Sequence, residues 1–155
     1  MSILNDAKLI MDSALQAALP DNAVMAALKA LPACNGKVVL IAAGKAAWQM
    51  ASAACDVLDV DDGIVITKYG HVQGPIGHLT CLEAGHPVPD ENSFSATREA
   101  LAVVSDLTEQ DTVLFLLSGG GSALFEKPLI PGEQLQDITQ QLLASGAGIV
   151  EMNTI

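Results

Sequence analysis

The chain alternates between short, continuous apolar runs and longer stretches in which apolar residues recur every third or fourth position. Ala7, Ile10, Met11, Ala14, Leu15 and Ala18 share one face of a helix predicted over 6–19, which Pro20 ends. Asn22 is placed to cap a second helix, reaching about residue 31. The turn pair Asn35-Gly36 leads into a first strand, 37–42, whose Val38-Val39-Leu40-Ile41 run reads as buried. A helix opening at Gly44 and running through residue 58 follows, with an alanine-rich face. Asp61-Asp62-Gly63 turns the chain into a second strand, 64–67, and 79–83 reads as a short third strand.

Asn92 or Ser93 caps the next helix, which reaches about residue 105. The run Val113-Leu114-Phe115-Leu116-Leu117 then reads as a strand, 112–117, buried on both faces as in a parallel sheet. Pro131-Gly132 precedes a last helix over 133–143. A helical lead-in followed by β-α-β-β-α-β-α predicts one α/β domain over 1–155. Its sheet is mostly parallel, Rossmann-like and flanked by helices, with right-handed crossovers.

Composition agrees with that architecture. Half of the 155 residues are hydrophobic, but only 3% are aromatic, so the core must be built from Ala, Val, Leu and Ile. Alanine-rich helices approach β-branched strands closely, which suits layered α/β packing. The formal net charge of −11 argues against a nucleic-acid surface, which needs clustered Lys and Arg. It leaves room for a nucleotide, which needs only local donors. Cys34, Cys55 and Cys81 are odd in number and lack CxxC spacing, as expected of a reduced, cytoplasmic protein. No secretory signal opens the chain, and no apolar run approaches the ~18 residues of a membrane span.

Candidate chemistry gathers at the strand ends. Ser118-Gly119-Gly120-Gly121-Ser122 directly follows the last strand. Three successive glycines are entropically costly, and they suit a backbone that bends sharply or approaches a ligand. At the carboxyl edge of a parallel sheet such a loop exposes N–H groups to an anion. A tight strand-to-helix turn without a ligand would use the same residues. Gly44-Lys45 follows the first strand in the same way. A lysine at a helix N-terminus opposes the helix dipole, at a cost of about 0.3–1 kcal/mol that an anion would remove. The alternative is a surface lysine whose stem carries its charge into water. Neither segment is GxGxxG or GxxxxGK[ST], so dinucleotide and Walker-type fingerprints are absent.

Two further loops should open on that edge: Lys68-Tyr69-Gly70-His71, and Glu83-Ala84-Gly85-His86-Pro87-Val88-Pro89-Asp90-Glu91. The spacing of His71, His78 and His86 matches no closed zinc pattern, so no metal site is expected. Pro87 and Pro89 stiffen their loop, and the simpler reading of Asp90 and Glu91 is as acids at a helix start.

These segments carry a resemblance. Ala43-Gly44-Lys45-Ala46-Ala47, Thr67-Lys68-Tyr69-Gly70-His71, Glu83 to Asp90 and Leu116-Leu117 with Ser118 to Leu124 occur in that order. Leu143-Ala144-Ser145-Gly146-Ala147 with Glu151-Met152-Asn153 adds a fifth motif. From about Lys37 onward the chain resembles the N-terminal portion of the class II glycerate kinases, the glycerate 2-kinase family with the MOFRL domain.

The resemblance implies phosphorylation of D-glycerate by ATP with Mg²⁺, giving 2-phosphoglycerate, in the cleft between two domains. It maps the family's lysine onto Lys45 and a phosphate-facing loop onto Ser118, Gly119, Gly120, Gly121 and Ser122. Gly44, Lys68, His71, His86 and Asp90 become pocket residues without individual roles. Family chains continue beyond the fifth motif into a second domain. The expectation is therefore an incomplete catalytic site, an isolated chain without appreciable activity, and self-association through an exposed interdomain face. Two readings compete: a non-catalytic sugar-phosphate-binding module and an inert remnant. A hydroxypyruvate reductase, a label some members carry, is disfavoured because the first β-α turn has one glycine where a nicotinamide fingerprint has three.

Overall fold

A computed structural model describes residues 2–152 and 154; Asn153 of the fifth motif lies outside the described residues. The elements run α1 (Ile3–Ala18), α2 (Asp21–Leu28), β1 (Val38–Ala43), α3 (Ala47–Cys55), β2 (Asp62–Lys68), β3 (Thr80–Ala84), α4 (Glu91–Val103), β4 (Thr112–Leu117), α5 (Gly121–Leu124), α6 (Gly132–Ser145) and α7 (Ile149–Met152). The four strands form one fully parallel sheet in the order β3-β2-β1-β4. This is the α/β architecture expected from the alternation of patterns, with its helical lead-in.

Alternate strand residues feed two cores, one on each face of the sheet. Leu40, Ala42 and Val65 meet Ala47, Ala51 and Ala54 of α3 and Val24 of α2. Val39, Ile41, Ile64 and Ile66 meet Ala96 and Ala100 of α4 and Leu124 of α5. Small alanines let both helices lie close to the strands, which is why so few aromatics suffice. Register brings the strand ends together: Ala43 pairs with Ile66 on one side and Leu117 on the other. The loops after β1, β2 and β4 therefore leave from neighbouring points of the carboxyl edge.

Several boundaries differ from the sequence reading. α1 starts at Ile3, where the Ser2 side chain accepts from the N–H of Asn5, a better cap than anything at residue 6. α2 starts at Asp21 with Pro20 at its cap position, so Asn22 lies inside it, and it ends at Leu28. α3 begins three residues after Gly44, because Gly44 has φ +122° and cannot be helical. α4 is capped by Asp90, neither by Asn92 nor by Ser93: Asp90 accepts from the Ser93 N–H, and Ser93 Oγ accepts from the Asp90 N–H.

The largest correction concerns β4. It is the edge strand, not a strand buried on both faces: Phe115 is 45% and Leu117 60% exposed. Nothing within the described residues pairs with its outer edge. Hydrophobicity of a run does not by itself say which faces are covered, and here Val113, Phe115 and Leu117 all face open space. The apolar stripe of α1 is equally uncovered, with Ile3, Leu4, Leu9, Ile10, Met11 and Leu15 all exposed. α6 buries no residue either. No helix among the described residues is long and apolar enough to cross a membrane. The three cysteines are unpaired, and burial pushes the Cys55 and Cys81 thiols up from their ordinary range.

Candidate active site at the carboxyl edge of the sheet

Two of the expected loops are stitched together by backbone. The Ser118 N–H donates to the Ala43 carbonyl at 2.9 Å, and the Lys45 N–H donates to the Gly119 carbonyl at 2.9 Å. The Ala46 N–H donates to Ser118 Oγ at 3.0 Å. Ser118 is thus a clasp between the β1 and β4 loops, with its hydroxyl already engaged. Gly44 sits beneath that clasp. A Cβ there would collide with Ser118 Oγ and lie 2.6 Å from the Ser118 carbonyl oxygen, at a φ that L residues rarely adopt.

Gly120 marks where three elements converge. At φ +88°, a Cβ on Gly120 would lie 2.8 Å from the His86 ring and 3.1 Å from Cε of Lys45. The ammonium stem of Lys45, the imidazole of His86 and the glycine loop therefore share one spot. The N–H groups of Gly119 and Gly120 pair with no acceptor among the described residues. Gly119 has open space around its Cα, Gly121 is buried against Leu117, and Ser122 is exposed. Lys45 and His71 also line a recess of about 270 Å³ with Trp48, Gln49, Gly70 and Gln73. A larger cavity of about 620 Å³ lies along β3 and α4, lined by Cys81, Glu83 and Ser95, but it contains neither Lys45, His86 nor the glycine loop. The smaller recess holds Lys45 and His71, while His86 and the glycine loop are outside its lining and meet Lys45 at Gly120.

Two partly exposed carboxylates hold the other two loops in place. Glu83 Oε1 accepts from the N–H groups of His71 and Val72, each at 2.9 Å. N–H donation from Val72 and Gly70 holds its carboxyl below the usual range. Asp90 Oδ1 accepts from the N–H groups of Gly85 (3.1 Å) and Ser93 (3.0 Å), while Oδ2 accepts from the Tyr69 hydroxyl at 2.6 Å. Burial pushes the Asp90 carboxyl up, but Tyr69 and the N–H donors outweigh it and leave it below its ordinary range. Asn92 donates to the Tyr69 oxygen at 2.9 Å. Asp90 is therefore fully engaged as helix cap and loop tie. Sequence reasoning passed over Tyr69, Glu83 and Asn92 as loop supports. Tyr69 and Glu83 lie within the segments already singled out, yet their partners are 21 and 12 positions away.

Electrostatics point to an anion. Burial lowers the pKa of His86, and the charges of Lys45 and Lys68 lower it further. In a chain of net charge −11, two lysines facing one imidazole are a local reversal of sign. The stability consequence has a definite direction. The unfolded chain takes up the His86 proton near the ordinary value of 6.5, the folded chain only at lower pH. Between the two the unfolded state holds more protons, so stability falls as pH drops below 6.5. Asp90 and Glu83 lose their contribution separately, in the carboxylate range below about pH 4. Urea midpoints at about pH 7.5 and about pH 5.5 should therefore differ less in His86→Gln than in the wild type. Equal pH dependence in both proteins would contradict the assignment.

Residues 6–155 match a protein family described as a domain of unknown function, DUF4147. The chain is 52% identical over 151 residues to a D-glycerate 2-kinase of Thermotoga maritima, covering 94% of this chain and 36% of that protein. It is 50% identical over 123 residues to a glycerate 2-kinase of Pyrococcus horikoshii, covering 78% of this chain and 28% of that one. The crystal structure of glycerate kinase from Thermotoga maritima superposes with a TM-score of 0.84 at 51% identity, over 96% of this chain and 36% of the other. The chain thus spans about a third of the length of these relatives.

Proposed function

The chain belongs to the DUF4147 family, and we propose that it supplies the N-terminal, lysine-bearing part of a D-glycerate 2-kinase site. The observation that carries this reading is the convergence of Lys45, His86 and Gly120 at the carboxyl edge, in a chain similar to two named glycerate 2-kinases. In this reading ATP supplies the γ-phosphoryl group that passes to the 2-hydroxyl of D-glycerate, giving 2-phosphoglycerate. Phosphoryl transfer asks a protein mainly for positioning and charge stabilisation. Lys45 provides a cation beside the loop, and the Gly119 and Gly120 N–H groups provide donors. His86, whose pKa is lowered by burial and by the charges of Lys45 and Lys68, adds a hydrogen-bonding ring that is less readily charged than a free imidazole.

The residues fit a phosphate better than they fit a metal ion. No group of three or more His, Cys, Asp or Glu among the described residues is arranged to hold a metal. Glu83 and Asp90 are occupied by N–H donors. Mg²⁺ would therefore enter with the nucleotide, and no step here is routed through it.

The substrate and nucleotide assignments are tested by amide chemical-shift changes in this chain on adding ATP, D-glycerate or glucose 6-phosphate. Shifts confined to Gly119, Gly120 and Lys45 with ATP or glycerate support the kinase reading. A response to the hexose phosphate alone would replace it with the sugar-phosphate-binding module. Appreciable turnover by the isolated chain is not expected, since these relatives have about two thirds of their length outside the matched region. The unpaired thiols suit the cytoplasm. The exposed apolar residues of β4 and of α1 favour self-association of the isolated chain, which sedimentation velocity over a concentration series would reveal.

A further inference from the structure

Lys45 is held at both ends of its own peptide unit. Its N–H donates to the Gly119 carbonyl at 2.9 Å, and its carbonyl lies 3.1 Å from Nδ1 of His71 and 3.4 Å from the Thr67 hydroxyl. A carbonyl oxygen can only accept, so Nδ1 of His71 must carry the proton in this contact. His71 is in turn fixed by its own N–H, which donates both to Glu83 Oε1 at 2.9 Å and to the Lys68 carbonyl at 3.1 Å. The β2–β3 turn is therefore a bracket whose one side-chain donor reaches across to the β1 loop. Thr67, completely buried at the end of β2, makes the longer bond from the same side.

We infer that His71 is a positioning residue that acts through Lys45, clamping its carbonyl so that the ammonium stem stays over Gly120 and His86. This differs from a pocket residue that touches the ligand. Its catalytic meaning rests on the kinase reading, but the clamp itself does not. The geometry of the clamp explains why a short turn should carry a histidine whose ring is half buried beside a main-chain oxygen. Asn can imitate it, because its side-chain amide occupies nearly the place of Nδ1 and donates; Phe keeps the ring and removes the donor.

The reporter is His86, which faces the charges of Lys45 and Lys68. Its imidazole titration is followed by NMR in the whole chain, in wild type, Lys45→Met, His71→Phe and His71→Asn. Lys45→Met sets the full rise in the His86 midpoint caused by losing that charge. His71→Phe is expected to reproduce at least half of that rise, and His71→Asn less than a quarter of it. His71→Phe and His71→Asn both lack the imidazole, so a difference between them reports the donor and not the charge of His71. Equal His86 midpoints in wild type and His71→Phe would overturn the clamp, as would equal rises in the two His71 variants. Amide spectra with native dispersion establish that each variant is folded; if His71→Phe is not, Glu83→Ala, which removes the acceptor of the His71 and Val72 N–H groups, takes its place with the same expected rise. Ligand-induced shifts measured on the same samples separate the two ideas. A rise in His71→Phe without any response to ATP or glycerate keeps the clamp and removes the kinase reading.

Discussion

Replacing Lys45 with Met is expected to lower kcat for glycerate phosphorylation by about 10³-fold in a kinase that carries this segment, with little change in stability. The size follows from what one preorganised charge contributes to a phosphoryl transfer, where charge stabilisation supplies most of the catalysis. The small stability effect follows from the structure. The side chain is exposed, and the bonds that tie residue 45 into the fold come from its backbone N–H and carbonyl, which Met keeps. Lys45→Arg should not restore full activity, because a planar fork does not replace a compact ammonium on a flexible stem. Steady-state assays of 2-phosphoglycerate formation beside a thermal melt decide the matter. A loss of less than about tenfold, at unchanged melting temperature, would remove Lys45 from the reacting centre.

Gly44→Ala should have the largest effect on the fold. The residue combines a φ of +122° with a Cβ position 2.6 Å from the Ser118 carbonyl oxygen, and the obstacle is backbone on both counts. A side chain could rotate aside; a carbonyl one residue past β4, which accepts from the Gly121 N–H at 3.3 Å, cannot do so without moving the chain. Strain of this kind costs about 1–3 kcal/mol from the dihedral alone, and displacement of the Ser118 clasp adds to it. A loss of about 3 kcal/mol is expected, lowering Tm by about 6–12 °C for a domain of this size. Gly70→Ala is the natural comparison. Its φ is also positive, at +76°, but no heavy atom lies within 4 Å of the added Cβ. It should cost only about 1 kcal/mol. Equal melts for the two variants would show that the dihedral, and not the crossing with Ser118, governs the site.

Much of this protein was legible along the chain because the signals were local. The period of the apolar residues identified the helices and the strands of a parallel α/β sheet. Glycine and proline marked the turns, and Gly44, Lys45 and the loop from Ser118 to Ser122 stood out because their composition costs something without a ligand or a sharp bend. The motif order also carried the family, which the match over 6–155 bears out. Boundaries slipped where capping depends on partners: Asp90 rather than Asn92 starts α4 because the Tyr69 hydroxyl and the Gly85 N–H hold its carboxylate in place.

Only the tertiary structure decided the rest. A run such as Val113 to Leu117 announces that a strand wants burial, but strand order alone reveals that β4 stands at the edge with Phe115 and Leu117 uncovered. The convergence of Gly120, His86 and Lys45 joins residues separated by 34 and 41 positions, a distance that parallel register closes and no local pattern encodes. The same holds for the His71 contact with the Lys45 carbonyl, 26 positions apart. Which residues could carry charge and where the backbone could bend were readable along the chain, since those are properties of single residues and their neighbours. Which charges meet is set by the pairing of strands, because only the closed sheet brings their ends to one edge.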